Sequence, residues 1–127
     1  MSDSIFGDVI FAYTRQDAIN DGNFVEQNDM AKRAGFKFDV CVSANLYHSH
    51  IYTKTDKGLL DKEATDRKMM NTLTCLRTAI SQMKGKDNMI FFKVPYMNVI
   101  TDVWAVCEPK SQTDPTPAIN IFLPEDN

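Results

Sequence analysis

The side chains best suited to chemistry are few in this chain. His48 and His50 are its two histidines. A His-x-His spacing puts both rings on one face of a strand, or about 200° apart on a helix. A metal site built on them needs further ligands, with Asp39, Cys41 or Asp56 the candidates; the simpler reading is two surface or half-buried histidines. The three cysteines, Cys41, Cys75 and Cys107, are widely spaced, odd in number and without a CxxC pattern, which, with no secretory signal in the text, predicts reduced, buried thiols. Cys75 falls near the apolar stripe of a helix, where desolvation raises a thiol pKa. Cys41 alternates to the polar side of its strand and is the better partner for His48 in a thiol–imidazole pair. Carboxylates crowd the first thirty residues: Asp3, Asp8, Asp17, Asp21, Glu26 and Asp29. A metal-dependent hydrolase would need two or three of them to converge. Asp17 and Asp21 share a helix face, but one also has a capping role and the other a helix-end role. Neither GxGxxG nor GxxxxGK[ST] occurs, so phosphate loops of those kinds are unsupported.

The run Tyr13-Thr14-Arg15-Gln16-Asp17 is the most distinctive local text. Thr14 reads as a helix N-cap and Asp17 as its capping-box partner. Arg15 then stands in the first helical turn, against the helix dipole. That placement implies a specific partner for it, either an internal carboxylate or an external anion. Trp104, the single tryptophan, lies on an apolar strand as a core residue or a docking residue. Tyr13, Arg15, Asp21 and Trp104 are accordingly the candidate binding residues. No catalytic residue, metal ligand or cofactor is assigned.

The elements that must position these residues follow from caps and periodicities. Val9 to Tyr13 reads as a short buried strand, followed by a short helix that Asp21-Gly22 ends. A short strand spans Asn23 to Glu26. Asn28 caps a second short helix, which Gly35 stops. Phe36, Phe38, Val40 and Val42 alternate with polar residues as a half-buried strand. Ser43 caps a further short helix, in which i,i+4 spacing pairs Leu46 with His50 and Tyr47 with Ile51; Thr53 to Gly58 is a loop. The strongest signal is a helix from about Asp61 to Lys84. Met69, Leu73, Leu76, Ile80 and Met83 form its stripe, and Gly85 ends it. Three strands follow: Met89 to Val94, stopped by Pro95; Val99 to Cys107; and Ala118 to Leu123. The fold class expected is α+β, as one domain over residues 1–127. The long helix packs on a mostly antiparallel sheet made by a C-terminal meander, and the first fifty residues add short helices and edge strands.

Composition bounds the partners. The 127 residues are 43% hydrophobic and 24% charged, ordinary for a globular chain. The net charge of −3 divides unevenly: −5 over residues 1–30, +6 over 31–94 and −4 over 95–127. The simpler reading is a solvated mixed surface; the sharper one is an acidic face that meets a basic partner, or a basic middle that meets an acidic partner or nucleic acid. The cations Lys62, Arg67, Arg77 and Lys84 do not share a narrow helix stripe, which argues against a dedicated nucleic-acid helix. The polar start and the short Val9–Tyr13 run fit neither a secretory signal nor a membrane span. The expected setting is cytoplasmic and off the membrane.

The text Asp8-Val9-Ile10, Tyr13-Thr14-Arg15-Gln16-Asp17-Ala18-Ile19, Asp21-Gly22 and Ala34-Gly35-Phe36 resembles an uncharacterised family of small proteins carried by plasmids, phages and other mobile elements. Its members also tend to close on a strand like Ile119-Asn120-Ile121-Phe122-Leu123-Pro124-Glu125. Phe24 departs from the aliphatic residue usual there, and Asp39 stands near the usual proline. The resemblance implies a bacterial or phage cytoplasmic setting and brings no catalytic residues. The expected function is that of an accessory protein binding a host or element protein, with inhibition of a host defence system as its narrower form. A nucleic-acid module using the basic middle, or a small metal-dependent hydrolase, is the alternative.

Overall fold

The computed structural model describes residues 14–83 and 88–126. The expected strand over Val9–Tyr13 lies outside those residues; Gly85 does too, but the long helix it was expected to end stops earlier, at Ser81 with Gln82 as its C-cap, so Met83 falls beyond the helix. Helix α1 is Arg15–Asn20, strand β1 Phe24–Glu26, helix α2 Asn28–Arg33 and strand β2 Asp39–Ser43. Helix α3, Ala44–Leu46, runs directly into a π-turn at Tyr47–Ile51. Helix α4 is Lys62–Ser81, and strands β3, β4 and β5 are Met89–Tyr96, Val99–Pro109 and Pro117–Phe122. A short 3₁₀ turn closes at Pro124–Asp126.

The five strands form one sheet in the order β1-β2-β5-β4-β3. Every neighbouring pair is antiparallel except β2 and β5, which run parallel with Val40 opposite Ile119 and Val42 opposite Ile121. The arrangement is α+β as expected. The sheet is mostly antiparallel as expected, with one parallel pair that makes it mixed. One expectation is corrected: β2 lies inside the sheet rather than at an edge, because its apolar sequence is covered on both faces, with Val40 to Ser43 all buried.

Strand alternation gives the sheet two unlike faces. On one, Val40, Val42, Ile119, Ile121, Val103, Ala105, Phe92 and Val94 meet Met69, Leu73 and Leu76 of α4 together with Met30 and Ala31 of α2. This is the hydrophobic core. The long-helix stripe is therefore real, although Ile80 at its C-terminal end is exposed. The opposite face carries Cys41, Asn120 and Val106 in one row and Phe122, Trp104 and Phe91 in the next.

Several local signals act as the sequence predicts. Thr14 and Asp17 form a reciprocal capping box, and Ser43 Oγ accepts from Leu46 N at 3.1 Å; Asp61, expected as the first residue of the long helix, is its N-cap. Others differ. Asn28 does not cap α2; its side chain accepts from Val40 N at 3.0 Å and ties α2 to β2. The turn after α3 closes by a five-residue hydrogen bond, Tyr52 N to Tyr47 O at 2.7 Å. That wider turn buries Leu46 and Ile51 together, where the four-residue spacing would have paired each with another residue. Pro95 does not stop β3. The strand continues to Tyr96 because β3 is an edge, where a missing N–H on the outer side breaks no ladder bond.

Candidate functional site

The candidate site lies on the face turned away from α4. Its centre is Asn120, whose side chain is buried within β5. A buried amide needs partners for both ends. Asn120 Oδ1 accepts from Arg15 Nε at 2.7 Å and from Cys41 Sγ at 3.1 Å, while Nδ2 donates to Glu108 Oε1 at 2.9 Å. One amide thus joins α1, β2, β4 and β5. Arg15 is held by an amide that passes the interaction on to Glu108, where the sequence suggested an internal carboxylate as direct partner. Its Nη2 nitrogen is buried with no hydrogen-bond partner among the described residues.

A groove of about 570 Å³ opens beside this cluster. Thr14, Arg15 and Ala18 of α1 make one wall; Ser43, Ala44 and Asn45 of the β2–α3 junction make another; and Glu108, Asn120 and Phe122 lie along the sheet. Asp126 closes one end. It accepts from Ser43 Oγ at 2.7 Å, Leu123 N at 2.9 Å and Asn45 Nδ2 at 3.2 Å, pinning the C-terminal turn to the start of α3. The lining brings one cation and two carboxylates to a mixed polar and apolar surface. Such a surface favours a ligand that presents donors, acceptors and apolar area together.

An aromatic row extends the groove across the sheet. Phe122 and Trp104 have ring centroids 6.0 Å apart, and Trp104 meets Phe91 edge-on at 4.1 Å. The row becomes more exposed toward the β3 edge, from half-buried Phe122 and Trp104 to Phe91 at 63% exposure.

The candidate residues separate on this map. Arg15 lines the groove, and Trp104 stands beside it through Phe122. Asp21 is the exposed C-cap of α1, outside the groove lining. Tyr13 lies outside the described residues. Cys41 is not on an open polar face. It is fully buried, and burial pushes its thiol up to about 11 despite the opposing pull of Arg15, the reverse of an activated nucleophile. His48 is exposed, and His50 stacks on Tyr96 with centroids 5.1 Å apart. Among the described residues no three His, Cys, Asp or Glu side chains converge as a metal site requires, and no helix is long and apolar enough to cross a membrane. Asn120 and Glu108 were not singled out from the sequence. The usable signal was Asn120 itself, an amide between two isoleucines in an otherwise apolar strand.

A family model described as a family of unknown function (DUF6573) matches residues 4–83. That is more than half of the chain, which therefore belongs to this family. The matched segment contains Arg15, Cys41 and all of α4 and ends before β3. Glu108, Trp104 and Asn120, which complete the site, stand beyond it. No curated protein and no solved structure matches the chain.

Proposed function

We propose that this member of a family of unknown function is a small accessory protein of a mobile element that acts by binding a host or element protein. Its contact surface is the sheet face opposite α4, with Arg15 as the polar anchor. The observation that carries the reading is the coincidence on that one face of a 570 Å³ groove holding Arg15 and of a partly exposed aromatic row. Aromatic residues and arginine dominate protein contact energies, and exposed apolar surface beside polar groups marks docking sites. The mobile-element setting rests on the resemblance carried by the Tyr13–Gly22 text. Inhibition of a host defence system is the narrower form of this reading, a task that occlusion alone accomplishes.

The basic middle gives less support to a nucleic-acid role. Lys62, Arg67 and Lys93 pair with Asp66, Glu63 and Asp102, and Arg77 donates to the Ala34 carbonyl. These cations are spent locally rather than gathered into a phosphate-binding stripe.

Affinity purification of the tagged chain from cells that naturally carry it tests the proposal. A stoichiometric protein partner is expected with the wild type and with Leu59→Asp, an exposed apolar control outside this face. Arg15→Gln and the groove-filling Asn45→Trp are expected to weaken it at least about tenfold. Retention of the partner by all four chains, or no stoichiometric partner, overturns the reading.

A further inference from the structure

Among the described residues strand β3 ends the sheet, and its outer side has a definite pattern. Tyr96 and Val99 are paired across the two-residue turn Met97-Asn98, and Cys107 N donates to Asn88 O at 2.8 Å. Alternation along an antiparallel ladder then turns the N–H and C=O groups of Met89, Phe91 and Lys93 outward. Pro95 follows the same alternation. It has no N–H to offer, and its carbonyl is already taken by Asn71 Nδ2 at 2.9 Å. The outer edge therefore offers three intact backbone positions and then a block.

We propose that this edge pairs with the β3 edge of a second copy of the chain, antiparallel and centred on Phe91, to make a continuous ten-stranded sheet. Three features favour a second copy in this register. First, Phe91 opposite its own copy leaves Met89 opposite Lys93 in both directions, so all three outward positions pair and Pro95 falls outside the seam. Shifting the centre to Phe92 requires the missing Pro95 N–H, and shifting it to Lys93 sets two ammonium groups face to face. Second, the aromatic row continues through the two-fold axis: the most exposed ring, Phe91, meets its own copy, with Trp104 and Phe122 behind it on each side. Third, the seam leaves no charge unpaired. Each Lys93 ammonium stays on Asp102 of its own chain, 2.5 Å away, while its aliphatic stem lies over the facing Met89. The two-fold axis keeps like faces together, so two Arg15 grooves share one side of the doubled sheet. The inference does not depend on the identity of the proposed protein partner.

Sedimentation equilibrium of the full chain over a wide concentration series tests it. A reversible dimer is expected. Phe91→Glu, which sets two carboxylates across the axis, is expected to give a monomer with an unchanged far-ultraviolet circular dichroism spectrum. Met89→Glu is expected to act oppositely. It places a carboxylate opposite Lys93 twice per seam and tightens the dimer about 2- to 30-fold at low salt, with the gain fading as salt rises. A chain that is monomeric throughout overturns the proposal. So does a dimer indifferent to Phe91→Glu, or one that Met89→Glu weakens.

Discussion

At the scale of single residues, the centre of the molecule's polar chemistry is an amide that holds other groups in place. Asn120 satisfies Arg15, Cys41 and Glu108 at once. Replacing it by alanine leaves a guanidinium and a buried thiol without their shared acceptor. Asn120→Ala is expected to cost about 2–3 kcal/mol in denaturant unfolding, more than a typical surface change. Cys41 carries a second expectation. Its folded pKa of about 11 stands above the ordinary value of 9.0 because burial penalises the thiolate. The unfolded chain therefore releases this proton first as pH rises, and folding stability falls between pH 9 and 11. Tyr96, pushed up to about 12 by burial against the opposing effect of its hydrogen bond with Thr72, extends the loss to higher pH. Unfolding free energies at pH 8 and pH 10.5 are expected to drop for the wild type and to drop less for Cys41→Ala. An equal drop in both would remove Cys41 from the account. At pH 8 a maleimide is expected to reach Cys75 and Cys107, which are partly exposed, and to reach Cys41 only after unfolding.

At the scale of elements, helix ends are where local sequence and structure agree most closely. The Thr14–Asp17 box, the Ser43 cap and the glycine stops need only neighbouring residues, so their signals survive in the text. Gly35 shows how such a local device becomes tertiary. Its φ of 91° follows the end of α2, and an added Cβ would meet Arg77 Nη1 at 2.9 Å. That nitrogen donates to the Ala34 carbonyl at 2.7 Å, fixing α4 to the end of α2. Gly35→Ala is expected to cost about 1–2 kcal/mol through the left-handed backbone. Gly22→Ala, with a φ of 82° and open space around it, is expected to pay the backbone cost without disturbing a neighbour. A thermal melt of the two variants with Arg77→Ala as a third separates the effects. Gly35→Ala loses more than Gly22→Ala only while Arg77 is present.

What the sequence left unread at this scale has physical causes. Periodicity reports which residues alternate, but not which strand lies beside which. The parallel β2–β5 pairing joins residues about eighty positions apart, and no local signal encodes it. The same pairing buried Cys41, whose position on the polar side of its strand had suggested exposure: that side is closed by Asn120 and Arg15. Pro95 read as a stop because an interior strand cannot spare its N–H, and only the strand order shows β3 to be an edge. The π-turn at Tyr47–Ile51 changed a four-residue spacing into a five-residue one. Of the site, Arg15 was legible from its unfavourable place on a helix and Trp104 from its side chain alone. Asn120 and Glu108 acquire meaning only once four elements meet.

At the scale of the whole molecule, the sheet divides the work. One face is spent on α2 and α4 and supplies the core. The other holds a groove, an arginine set in place by a buried amide, and an aromatic row running to an open edge. A protein that acts by contact needs this division, because the contact surface is built on a framework that the core already holds rigid. Side-chain footprinting by hydroxyl radicals, which distinguishes the two faces of one strand, tests this most directly. With the partner captured by the tagged chain, Trp104 and Phe122 are expected to lose labelling relative to the free protein, while Leu59 and Leu60, exposed in the loop before α4 and outside the groove lining, keep theirs. Protection of Leu59 and Leu60 with Trp104 and Phe122 unchanged would place the contact elsewhere and contradict the account.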